Sequence, residues 1–93
     1  MKQKFPIGTF VRVCKDMPIH MSYFEKDFIG IVEGTYKQLC GGDNNIKDYA
    51  LIYLDDNGVP IMSIAWYEED QLTLVSTDTK KGKILIGQFK NEN

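Results

Sequence analysis

The sequence predicts an all-β protein, a small barrel of about five short strands in one domain, followed by a tail. Three observations carry that prediction. Short runs rich in β-branched and aromatic residues, such as Tyr49-Ala50-Leu51-Ile52-Tyr53-Leu54, recur between turn-forming residues. Asn57-Gly58 separates two such runs and is a strong hairpin signal, because both residues tolerate left-handed φ. The chain has 93 residues, which suits one core and leaves no room for two.

Taken in order, Gly8 gives the turn into a first strand over Phe10 to Lys15, with Val11 and Val13 sharing a face. From Asp16 to Asp27 the alternation is lost, and Met17-Pro18 breaks the strand. This long loop still holds Ile19, Met21, Tyr23 and Phe24, so it is expected to fold back onto the barrel. Phe28 to Tyr36 reads as the second strand. Gly30 and Gly34 inside it indicate a bulge or bend of the kind that closes a small sheet. Leu39 to Lys47 is a solvated loop. Tyr49 to Leu54 and Val59 to Tyr67 form the hairpin, with Pro60 near a strand start, where a missing N–H does least harm. Glu68-Glu69-Asp70 is one tight turn, and Gln71 to Val75 is the last strand. The expected core draws on Val11, Val13, Ile31, Leu51 or Ile52, Ile64 and Leu74. On this reading residues 1–75 are the barrel. Residues 76–93 are linker and tail, able to add a strand over 83–89 along an open sheet edge through Ile84-Leu85-Ile86.

Charge bounds the partners. The net charge is −2, but between Phe5 and Val75 five basic residues face eleven acids, while Lys2, Lys4, Lys80, Lys81, Lys83 and Lys90 lie in the flanks. An acidic body repels phosphate backbones and argues against nucleic acid. No apolar run reaches membrane-spanning or signal-peptide length, so the expectation is a cytoplasmic protein with no membrane contact.

Candidate chemistry is sparse. His20 is the sole histidine, which removes any His–His metal pair or His-based triad within one chain. Cys14 and Cys40 have neither metal-ligand nor CxxC spacing and read as two reduced thiols. Nothing in their spacing brings Cys14, Cys40 and His20 together as nucleophile and base. Glu68-Glu69-Asp70, even with Asp55-Asp56, lacks calcium-loop spacing and reads as a solvated acidic face. Gly41-Gly42 lacks the Lys-Ser/Thr of a phosphate-cradling loop. The expectation is a protein that is not an enzyme and takes no cofactor. The candidate partner-binding set is Tyr23 and Phe24 in the long loop with Trp66, Tyr67, Glu68 and Glu69 at the end of the hairpin. Exposed aromatics are enriched at protein interfaces. The competing role, for Trp66 above all, is to plug the core of a small barrel.

Phe5-x-x-Gly8-x-x-Val11-x-Val13, then Pro18-x-His20, Gly30-x-Val32 and a hairpin ending in Trp66-Tyr67-x-x-x-Gln71-Leu72, resembles the SH3-like barrel of the electron-transport accessory group. That group includes the C-terminal domain of the nitrile hydratase beta subunit and the variable chain of ferredoxin–thioredoxin reductase. The pattern is also similar to small SH3-like proteins encoded by prophages. The resemblance spans about residues 5 to 75. It implies a non-catalytic accessory barrel that packs against an enzyme subunit or an electron carrier. The acidic body departs from the basic surface that an acidic ferredoxin would need, and the helical region of a hydratase subunit is missing. The expected function is therefore an SH3-like module that binds a protein partner through an aromatic loop and an acidic rim. It would be a monomer or a weak homodimer through the tail strand. The alternative is a nucleic-acid-binding SH3-like barrel. The thiol reading has a direct check: alkylation of denatured protein prepared without oxidant should label both Cys14 and Cys40, and a disulfide would leave neither reactive.

Overall fold

The computed structural model describes residues 3–13, 28–41 and 48–92. Strands Phe10–Val13 (β1), Ile29–Thr35 (β2), Asp48–Leu54 (β3), Pro60–Glu68 (β4) and Leu72–Ser76 (β5) form one sheet in the order β4-β3-β2-β1-β5. Every adjacent pair is antiparallel. The body is thus all-β, as the alternating runs predict. Among the described residues two helices accompany it, Tyr36–Cys40 (α1) and Thr79–Glu92 (α2), and a 3-10 turn at Glu69–Gln71 joins β4 to β5. The radius of gyration is 12.4 Å, close to the value of about 12 Å for one compact domain of this length.

The β3–β4 hairpin forms where Asn57-Gly58 places it. Asp55 organises the turn, its carboxylate accepting from the N–H groups of Asn57 and Val59, each at 2.9 Å, and Gly58 supplies φ of 78°. Helix α1 was legible in Thr35-x-x-Gln38 but reads in the sequence as strand end and loop. Thr35 Oγ1 accepts from the Gln38 N–H at 3.2 Å while Gln38 Oε1 accepts from the Thr35 N–H at 2.9 Å, a reciprocal cap that turns the chain out of β2.

Burial on both faces of the sheet explains why β3 is apolar at nearly every position. Tyr49 and Leu51 point into a cluster with Val11, Val13, Val32 and Ile64, to which Phe5, Phe28, Tyr67 and Leu72 also belong. This cluster takes side chains from all five strands, including both edge strands. Ile52 and Leu54 point the other way, into a cluster with Ile31 and Ile86 of α2. The choice between Leu51 and Ile52 thus resolves to both, one on each face. Leu74 is a correction: it is 51% exposed on the edge strand β5, and Leu72, paired with Val13, takes the core place instead.

The tail is the larger correction. Residues 83–89 are not an added strand but the middle of α2. A strand would set Ile84 and Ile86 on one face, yet Ile84 is 53% exposed and Ile86 only 8%. Gly82 and Ile86 are buried and Thr79, Leu85 and Phe89 half-buried, a spacing that places them on one helical face. Asp78 caps the start, its carboxylate accepting from the Lys81 N–H at 3.3 Å. Gly82, which looks like linker in the sequence, is what lets the helix approach: a Cβ there would overlap the carbonyl of Gly8. Gly8 itself has φ of 95°, in the region that favours glycine.

Two alanine substitutions test this seating. Gly87 lies in the same helix with open space where its Cβ would go. Gly87→Ala should stabilise the protein by about 1 kcal/mol through helix propensity. Gly82→Ala should destabilise it by about 1–3 kcal/mol through overpacking against Gly8. Urea melts that move in the same direction for both variants would contradict the packing of α2 on the sheet.

Candidate functional site

The six candidate residues separate into three groups. Tyr23 and Phe24 lie outside the described residues, as do Cys14 and His20. Tyr67 is a correction. At 1% exposure it belongs to the core, its ring 6.1 Å from that of Phe28, and it offers no surface to a partner. Its neighbour Trp66 is 41% exposed. The reason is a bulge. Tyr49 pairs with Tyr67 and Ala50 with Ala65, so Trp66 is an extra residue in β4, released from the alternation that buries Ile64 and Tyr67.

Trp66 does not stand alone. Its ring meets that of Tyr36 edge-on, with centroids 5.2 Å apart and planes at 60°. Tyr36 is the first residue of α1, so the Thr35 cap that ends β2 also sets this aromatic pair. Leu39, one turn further on, is exposed, as is the free thiol of Cys40 at the helix end. The sequence reading missed Tyr36, because its partner depends on the bulge and on α1. The capping pattern was the signal that could have found it.

The acidic residues also divide. Glu68 is exposed and sits directly across from Asp48 on the neighbouring strand, a like-charge pair that disfavours the isolated sheet. Glu69 is half-buried and structural. It accepts a hydrogen bond from the Tyr49 hydroxyl at 2.6 Å and one from the Lys4 N–H at 3.4 Å. The Tyr49 oxygen in turn accepts from the Phe5 N–H at 3.3 Å. This latch ties the segment before β1 to the turn before β5. A second polar bridge crosses the sheet where Glu33 accepts from the Ser63 hydroxyl at 3.3 Å and pairs with Lys90 of α2 at 3.1 Å.

Among the described residues no three His, Cys, Asp or Glu side chains converge as metal ligands, and no helix is long and apolar enough to cross a membrane. A groove of about 180 Å³ between the hairpin turn and α2 is lined by Val59, Pro60, Leu85 and Phe89, and it presents no titratable side chain. The surface with the most chemistry to offer is therefore the Trp66–Tyr36 pair beside Glu68 and Asp48. Compared with known proteins, the chain matches no family model, no curated protein and no solved structure.

The latch has a pH signature. Burial, and then the hydrogen bond to Glu69, push the Tyr49 hydroxyl up from 10.0 to about 12. The folded protein holds this proton more tightly than the unfolded chain. The resulting stability is complete below pH 10 and is lost as pH rises toward about 12. Comparison with Tyr49→Phe isolates the effect. Stability in urea should fall more steeply between pH 10 and 12 in the wild type than in the variant. Equal slopes would show that Tyr49 is not held in this way.

Proposed function

We propose that the sheet is a small SH3-like barrel and that the protein is a non-catalytic module binding a protein partner. Support for the barrel comes from the strand order β4-β3-β2-β1-β5, the 3-10 turn before β5, and a single cluster drawing on both edge strands. Bulges in the β1–β5, β2–β3 and β3–β4 ladders provide the bends that curl such a sheet, with β4 and β5 left as its two edges. The resemblance to accessory barrels of enzymes and electron carriers points to the same class.

The observation that carries the binding reading is Trp66, a large exposed aromatic packed edge-on against Tyr36 and flanked by exposed Glu68. Rigid aromatics of this kind contribute contact area at low entropic cost and dominate protein interfaces. The carboxylates of Glu68 and Asp48 favour a partner bearing Lys or Arg, whose cation also gains over an indole face. The same carboxylates oppose a nucleic acid.

Trp66 is the only tryptophan, so its emission reports on this surface without a label. Titration with short extended peptides rich in Lys and Arg should change that emission saturably. Peptides with the same apolar residues and Asp or Glu in place of the bases should not. Glu68→Gln should melt like wild type and bind the basic peptides about two- to five-fold more weakly, the worth of one exposed charge pair. An emission change produced by single-stranded DNA and not by basic peptides would overturn the reading.

A further inference from the structure

Trp66 lies on a strand with an unusual edge. β4 ends the sheet, and among the described residues no strand pairs with its outer side. Soluble proteins commonly protect such an edge with charged residues, shortness or a covering element. β4 has nine residues, and from Val59 to Tyr67 none is charged. Val59, Ile61, Met62 and Trp66 are each at least 40% exposed. The register with β3 leaves residues 62–65 as a regular run, with Ile61 and Trp66 as the extra residues of a bulge at either end. Proline stands only at the start of the strand, so every residue of the regular run keeps its N–H.

Charge at the two ends selects what can pair there. Asp55 and Asp56 precede β4, and Glu68, Glu69 and Asp70 close it. A second copy running antiparallel about a two-fold axis near Ser63 would bring the acidic turn after β4 of each copy alongside the acidic turn before β4 of the other. Like charges would then meet at both ends, which opposes self-pairing. An extended segment with an apolar middle and Lys or Arg at both ends meets no such opposition.

We propose that the outer edge of β4 is a strand-addition site for such a segment of another protein. The proposal rests on the docking reading of Trp66 and adds how the partner is held. Main-chain groups of alternate residues within 62–65 bond the added strand. Ile61 and Trp66 grip its side chains at either end, and the acidic turns pair with its basic termini.

The test uses the whole protein and a synthetic peptide with a Val-Thr-Val-Thr-Val centre and two lysines at each end. Two N-methylated versions block the alternate amides on one edge of the peptide or on the other. Trp66 emission gives affinity, and amide exchange by NMR gives the pairing. The parent peptide should bind saturably and slow exchange at alternate amides of residues 62–65. The version with glutamate ends should bind at least about ten-fold more weakly. One N-methylated version should lose binding while the other keeps it, because an added strand pairs through a single edge. Met62→Lys, at an exposed position, should weaken the lysine-ended peptide without lowering the melting temperature.

If both N-methylated versions bind as the parent does, or both lose binding equally, strand addition is wrong while docking at Trp66 stands. If no basic peptide changes Trp66 emission, the docking reading falls and strand addition with it. If sedimentation shows a dimer whose β4 amides are protected without peptide, a second copy takes the edge and the proposal is overturned.

Discussion

The sheet is buried on both faces, and that depends on α2 being able to lie against it. Ile31, Ile52 and Leu54 have little reason to be apolar unless something covers them, and Ile86 with the half-buried Leu85 and Phe89 provides that cover. The helix reaches this position because Gly82 has no side chain to strike the Gly8 carbonyl. Cover on the second face then lets β3 be apolar at consecutive positions, and a strand buried on both faces holds its hairpin partner β4 firmly in register. The bulges that release Ile61 and Trp66 are set in that ladder. A glycine contact between residues far apart in the chain thus bears on the surface that carries Trp66.

The strands were legible because each has a local signature. Alternation marks β1, the aromatic and branched run marks β3, and Asn57-Gly58 marks the hairpin. What escaped the sequence depended on partners distant in the chain. Ile84-Leu85-Ile86 reads as strand by residue type, and only the sheet face it meets reveals the helical period running from Gly82 to Phe89. Leu72 and Leu74 alternate identically and each pairs with a buried valine of β1, so no local pattern tells that only Leu72 is buried. Trp66 and Tyr67 are neighbours of the same chemical type. A one-residue bulge sends one outward and one inward, and β4 carries no glycine to announce it as Gly34 does in β2. The pairing of Trp66 with Tyr36 was invisible for the same reason, although the cap that positions Tyr36 was spelled out in Thr35 and Gln38.

Division of labour among the acids follows from the same geometry. Glu69 is held by Tyr49 and by the main chain of Lys4, so its charge is spent inside the molecule. Glu68 faces outward and stands in register with Asp48, a like-charge placement that cross-strand preference disfavours. Local conflict of this kind, in a chain otherwise consistent from propensity to packing, marks positions kept for something other than stability. The uncharged stretch of β4 is a second conflict, since an edge strand without charges invites pairing. The two conflicts adjoin at Trp66.

The contact between Gly8 and Gly82 also bears on how the protein is made. A nascent chain emerges with its N-terminal end first, and domains fold as units when their sequence becomes available. Here β1, β2 and β3 leave the ribosome well before the helix that shields Ile31, Ile52 and Leu54 exists. Until α2 arrives, the growing chain carries one apolar sheet face with no cover. A chaperone would find its binding surface on the face that α2 later seals.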